Sequence, residues 1–223
     1  MKYKIYKLKL SLMITLMSGF LLSCGDLKVQ ELNAFQPGIP ELATFKDQTA
    51  WEWMQKQTTP AGTAILQTNK LDNMITLIKV AGLEEEYNKD VKDRTYLFLP
   101  NSAFTGTGRI NALLTGVAAG TGDLTKVDKT RAANLLKYHI INAYVDQSKA
   151  LPIYFVNYDF QTLLDGANGI MKIQRNERLS ITINNSTDLP STRRPAAAVT
   201  LHNYQFKNGI AHFIGAYVGI TAF

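Results

Sequence analysis

The chain has 223 residues, 24 Lys and Arg against 18 Asp and Glu, a formal charge of +6 and one cysteine. That length supports one domain with a substantial core, and a single cysteine excludes an internal disulfide, so packing and backbone hydrogen bonds must stabilise it. Four lysines (Lys2, Lys4, Lys7 and Lys9) precede Cys24; the 20 basic and 18 acidic groups that follow give +2, too little to support nucleic-acid binding by net charge.

The four lysines form a basic n-region, and the uncharged run from Leu10 to Ser23 forms an h-region. That run is too short to cross the hydrocarbon core as a helix, so it fits an export signal rather than a membrane span. Leu21-Leu22-Ser23-Cys24 places the lone cysteine directly after a small residue. The segment resembles a bacterial lipoprotein signal, in which the cysteine is acylated and becomes the new N-terminus. The resemblance implies a signal peptide at 1–23, a palmitate-type lipid on Cys24, and a place in the bacterial cell envelope, most naturally the outer membrane. An ordinary secretory signal with an incidental cysteine is the alternative. Residues 24–47 then read as a tether, with a turn-rich break at Pro37-Gly38-Ile39-Pro40. A flexible chain of that length holds a domain about 25 Å from its anchor by square-root scaling.

The folded part, 48–223, opens with an apolar segment at Trp51, Trp53 and Met54, broken at Thr58-Thr59-Pro60. Leu71, Met74, Ile75 and Ile78 then fall on one helical face, with Asn69 as the expected N-cap and Gly82 as the stop. Thr95–Leu99 is β-rich and closed by Pro100, and a Gly/Thr-rich stretch follows. A second helix starts at Asp128 and runs through Ala132, Leu135, Leu136 and His139. Leu179, Ile181 and Ile183 alternate with polar residues as a half-buried strand, joined by a turn at 175–178 to a strand at 171–174. A polar loop spans Thr187–Pro195. Strands at 199–206 and 210–218 flank Asn208-Gly209, a hairpin turn signal. Helices early and strands late predict an α+β domain.

Four stretches resemble the fasciclin domain family. Leu97-Phe98-Leu99-Pro100-Asn101-Ser102-Ala103-Phe104 is similar to its first box, F-A-P-T-N-x-A-F, one residue short between Pro100 and Phe104 and with Leu99 for alanine. Leu135–Ile141 contains the family's tyrosine–histidine element as Tyr138-His139, and Phe160–Gly166 is similar to the element before the C-terminal strands. Asn208-Gly209-Ile210-Ala211-His212-Phe213-Ile214 is close to the second box, N-G-V-I-H-V-I-D, with Gly215 where aspartate is common. The resemblance implies a β-wedge flanked by N-terminal and middle helices. It implies signature positions Phe98, Pro100, Phe104, Asn208, Gly209 and His212 with structural roles. It also implies an adhesion or binding module without catalysis or cofactor.

The residues themselves point the same way. Zinc needs three or four correctly spaced ligands, whereas His202 and His212 stand on two hairpin arms without a carboxylate near either in sequence, so structural histidines are favoured over a metal site. Gly116–Gly122 superficially resembles a phosphate loop but lacks the Lys-Ser/Thr and the preceding strand, and reads as an ordinary loop. Glu84-Glu85-Glu86 reads as a solvated helix end, and Arg193-Arg194 as solvated loop charges. Tyr138 and His139 carry two readings. In the family the pair is linked to receptor adhesion, while its helix position favours packing. Two function classes stay open. One is an envelope-anchored module binding a protein, glycan or matrix partner. The other is an accessory subunit of an outer-membrane complex. An exposed aromatic groove would favour the first and a broad apolar face the second.

Overall fold

The two box motifs lie side by side at the centre of the sheet. The computed structural model describes residues 44–60, 69–107, 109–189 and 196–218; the lipobox, most of the tether and Arg193-Arg194 lie outside them. Strand β1 is Thr44–Phe45, followed by helices α1 (Ala50–Met54), α2 (Asp72–Ala81) and α3 (Glu84–Asn88). Strand β2 (Thr95–Phe98) leads into α4 (Asn101–Phe104), α5 (Ile110–Thr115) and α6 (Lys129–Tyr138). Then come β3 (Ile140–Ile141), β4 (Tyr158–Gln161), β5 (Ile170–Arg175), β6 (Ile181–Ile183), β7 (Ala197–Phe206) and β8 (Gly209–Ile214).

The strand order is β3-β2-β8-β7-β6-β5-β4, with β1 paired parallel to the end of β7. An isolated bridge between Ile141 and Thr162 brings the two edges together, so the sheet is nearly closed. The result is a mixed α+β wedge, as the resemblance implied. β2 and β8 pair in parallel, placing Leu97 beside His212 and Phe98 beside Phe213. Every residue of both strands is buried, which requires cover on both faces. On one face Trp53 supplies it: its ring stacks on Phe98 at 5.8 Å and lies 5.4 Å from Phe206 and 6.2 Å from Phe213. The early tryptophan helix therefore joins the first box to the second.

Several local expectations change. Asn69 does not cap α2; Leu71 occupies that position without a side-chain bond. Asn101 of the first box caps the helix from outside, its Oδ1 accepting from the Asn73 N–H at 3.0 Å. Asp72 instead accepts from Thr59 N–H (2.9 Å), Thr59 hydroxyl (2.7 Å) and Asn101 amide (2.7 Å). Gly82 stops the helix as expected, at φ 67°. Leu179 is not in a strand; it lies in the β5–β6 turn at φ 63°, because Asn176 folds that turn back through bonds to the Arg178 and Ser180 N–H groups. Glu86 is not simply solvated. It is in contact with the nearly buried Arg94 at 2.6 Å and with Lys89 at 2.8 Å. Burial raises the Glu86 pKa, but the bonds from Lys89 and Arg94 outweigh it and hold the carboxyl below its usual range.

The hairpin turn also moves by one residue. Phe206 pairs with Gly209, so Lys207 and Asn208 form the loop and Gly209 is the first residue of β8. The reason is steric. A Cβ on Gly209 would lie 2.3 Å from the Arg94 carbonyl oxygen, which accepts from the Ile210 N–H at 2.9 Å. Gly209 lets β8 approach β2 that closely, at φ 144°. β8 also ends at Ile214 rather than continuing to 218.

Gly209→Val should therefore destabilise the domain by more than about 2 kcal/mol, from strained backbone and overlap with Arg94. Urea denaturation measures it; an unchanged midpoint would show that the close approach to Arg94 does not hold in solution.

Candidate functional site

The tyrosine–histidine element sits where α6 runs into β3. Asp128 caps the helix, accepting from Arg131 N–H at 2.9 Å, and His139 is its C-cap. Leu135, Leu136 and Tyr138 bury the inner face. His139 is fully buried. Its Nδ1 lies 2.8 Å from the Leu135 carbonyl, one of the carbonyls a helix end leaves without a partner, and its Nε2 accepts from Val218 N–H at 3.2 Å. Those partners require a proton on Nδ1 and none on Nε2, the neutral ring. Burial drives the pKa down to about 4, against a small upward push from the Leu135 bond. Tyr138 is also buried, and its hydroxyl accepts from the Asn184 amide at 2.8 Å and donates to the Ile170 carbonyl at 3.3 Å. Neither side chain offers a surface to a partner in this conformation.

His212 repeats the arrangement in the second box. Its Nε2 lies 2.8 Å from the Val145 carbonyl, and its Nδ1 accepts from Asn203 N–H at 3.2 Å. Burial drives its pKa down to about 4 as well. The register shifts between Leu201 and Tyr204, with Asn203 at φ 58°. This bulge brings His202 within 5.9 Å of the His212 ring, ring centre to ring centre. Among the described residues no cluster of three or more His, Cys, Asp or Glu is placed to hold a metal ion. The remaining signature positions Phe98, Pro100, Phe104 and Asn208 lie within the buried wedge, and Pro100 precedes α4 as its N-cap. The Gly116–Gly122 loop follows α5, with Gly116 as its left-handed C-cap.

What the surface offers lies elsewhere. An open cleft of about 370 Å³ borders the hairpin turn, lined by Lys46, Lys92, Lys207, Asp90 and Tyr144 among others. Asp90 partly offsets Lys207 at 3.4 Å, leaving Lys46 and Lys92 beside an exposed phenol ring. Sequence reasoning missed this cleft because its lysines lie on three separate segments and each looks like a solvated surface charge. It also passed over Ile153-Tyr154-Phe155-Val156, four exposed apolar residues in a row. Their signal was present: an apolar run bounded by Pro152 and Asn157 with no strand or helix to absorb it.

The two buried histidines set a pH dependence. Each ring is neutral in the folded chain and protonates in the unfolded chain below about 6.5. The stability they contribute is complete above about pH 6.5 and is lost as pH falls towards about 4, at about 1.4 kcal/mol per pH unit for each ring. His139→Ala should cost ~1–3 kcal/mol at pH 7 through lost packing and unsatisfied partners, and should make the decline between pH 6.5 and 5 shallower. Urea midpoints across that range check both, and an unaltered decline would show that His139 does not titrate as its bonds require.

The fasciclin domain family model matches residues 69–217, which include both boxes and the tyrosine–histidine element. A solved structure of a FAS1 domain pair from the insect cell adhesion molecule fasciclin I is similar to the chain at 15% identity and a TM-score of 0.40. That likeness covers 78% of this chain and 46% of that one, so the chain spans less than half of the domain pair. No curated protein matches the chain. The chain belongs to the fasciclin domain family, a cell-adhesion type of module.

Proposed function

We propose that this chain is a non-enzymatic adhesion module of the bacterial cell envelope, held to the outer membrane by a lipid on Cys24 and engaging a protein or glycan partner. The observation that carries the binding part is the cleft at the hairpin turn. Lys46 and Lys92 supply cationic donors, and the exposed ring of Tyr144 supplies aromatic surface in the same concavity. That combination takes a polar partner carrying negative charge, with a ring or apolar face against Tyr144. The interior supports no catalytic assignment: the His139 and His212 rings are neutral and engaged at both nitrogens with backbone groups, and no titratable group in the cleft is arranged as an acid–base pair with them. The accessory-subunit reading would need a broad apolar face. The described surface instead has one apolar loop of four residues.

Two experiments test this reading separately. Cys24→Ser should move the protein from the membrane fraction to the aqueous fraction, since the acyl chains are what make such an anchor stable. If the variant remained with membranes after a high-salt wash, the lipid would not be the anchor. For the cleft, Lys46→Glu combined with Lys92→Glu should weaken salt-sensitive retention of the protein on its native envelope at least about tenfold, a loss of about 1.4 kcal/mol. Melting should be unaltered, because both side chains are exposed. Unchanged retention would place the partner contact outside the cleft.

A further inference from the structure

We propose that the loop Ile153-Tyr154-Phe155-Val156 inserts into the interfacial layer of a lipid bilayer, giving the folded domain a membrane contact of its own. The exposure is the first observation. Ile153 is 59% exposed, Tyr154 54%, Phe155 59% and Val156 40%, in a protein whose other large apolar side chains are mostly buried among the described residues. Four such residues in succession form a continuous exposed apolar segment.

The loop is also held in shape. Phe155 adopts φ 60°, a conformation costly for an aromatic residue, and its N–H donates to the Arg175 carbonyl at 2.7 Å. Ile153 N–H donates to the Tyr158 hydroxyl at 3.0 Å. The Arg175 guanidinium donates to the Leu151 carbonyl and to the Pro152 carbonyl, the latter at 2.7 Å. Tyr154 and Phe155 pack edge to face at 5.6 Å. A hydrocarbon environment penalises unsatisfied backbone groups, and this loop has several already satisfied from within the protein. A collapsed apolar loop would turn these side chains inward; here the backbone bonds fix them outward.

Lipid fits better than a protein pocket for two reasons. Tyr and Phe beside Ile and Val are the composition of interfacial anchors, and cations stand close by: Arg175 itself, exposed Lys149 before the loop, and Arg178 in the adjoining turn. Glu177 and Asp146 lie in the same segments, and the Asp146 carboxylate is occupied by the N–H groups of Ser148, Lys149 and Ala150. The second reason is position along the strands. Tyr158 at the start of β4 pairs with Ile173, Arg175 with Ile181, and Thr182 with Ala198. From there β7 continues past the start of β6 to Gln205, beside Thr44 of β1. The loop and the point where residues 1–43 join the described domain thus lie towards the same end of the strands. The inference deepens the membrane part of the proposed function, from which its test is kept separate.

The test uses the full chain with Cys24→Ser, which has no lipid site and no other cysteine. One protein carries Ile153→Cys and a second carries Lys126→Cys at an exposed distant site, each labelled with an environment-sensitive fluorophore. Both are mixed with vesicles of zwitterionic and anionic phospholipid. The expected result is a blue shift and quenching by bromolipid at position 153, with neither at 126. Tyr154→Ser with Phe155→Ser should reduce the 153 response at least tenfold at unchanged melting temperature. A label at 153 that stays in water while the protein sediments with vesicles would mean that the N-terminal segment alone binds, and overturns the proposal. So would equal shifts at 153 and 126, or a silent 153 label on every vesicle, which would leave the loop to a protein partner. Loss of anchoring in Cys24→Ser cells is read independently and does not alter these outcomes.

Discussion

The Asn208 side chain holds the wedge together at its tightest point. It is fully buried, and its Oδ1 accepts from the Ala50 N–H at 2.9 Å, at the start of α1. Its Nδ2 lies 2.8 Å from the Tyr87 carbonyl, 3.2 Å from the Lys89 carbonyl and 3.0 Å from the Tyr96 hydroxyl. One amide therefore bonds backbone groups at two helix ends and a tyrosine hydroxyl on a strand, each more than 100 residues away in sequence. An aspartate would repel the two carbonyls, and an apolar residue would remove the bonds to the Ala50 N–H and the Tyr87 carbonyl in the interior, so asparagine is the side chain that fits this set. Gly209 beside it lets the backbone come within reach of Arg94. The pairing of β2 with β8, and hence of the two boxes, follows from these adjacent residues.

The two neutral histidines serve the same end at other junctions. His139 joins the end of α6 to the segment after β8, and His212 joins β8 to the β7 bulge and to Val145. Each ring bridges a donor and an acceptor that belong to different segments, which an apolar side chain of equal volume cannot do. Without a disulfide, the domain closes its long loops with such polar bridges inside a packed core. They hold while the rings stay uncharged, so the bridges that replace disulfides also make the fold sensitive to acid.

The sequence made visible what depends on local period and on turn chemistry. Met74, Ile75 and Ile78 marked the face of α2, Gly82 its end, and Asp128 the start of α6. The alternation at Ile181 and Ile183 marked β6, although Leu179 belongs to a turn that Asn176 shapes. What stayed hidden depends on partners far along the chain. Nothing near residue 72 announces that Asn101 will cap α2, and nothing near 207 that Asn208 must turn its amide towards Tyr87. The Thr49–Glu52 capping box is the opposite case: both bonds are present, at 3.2 and 2.8 Å, and the T-x-x-E spacing was there to be read. For the site, the i and i+4 spacing of Leu135 and His139 already pointed the ring inward, whereas no local pattern could gather Lys46, Lys92 and Lys207 around one cleft.

The motifs that identify the family and the surfaces available for binding are thus different parts of the molecule. Phe98, Asn101, Asn208, Gly209 and His212 are spent on internal closure, and their polar groups are matched to other groups of the same chain. A partner that needed Phe98 or His212 would have to open the β2–β8 seam, and one that needed Asn101 would have to uncap α2. The exposed side chains of the lysine-lined cleft and of the apolar loop at 153–156 lie outside both boxes, although Gly209 forms part of the cleft wall, and they rest on a framework that the boxes hold together. A fold arranged this way can change what it adheres to by altering a few exposed residues, because none of them contributes to closing the wedge.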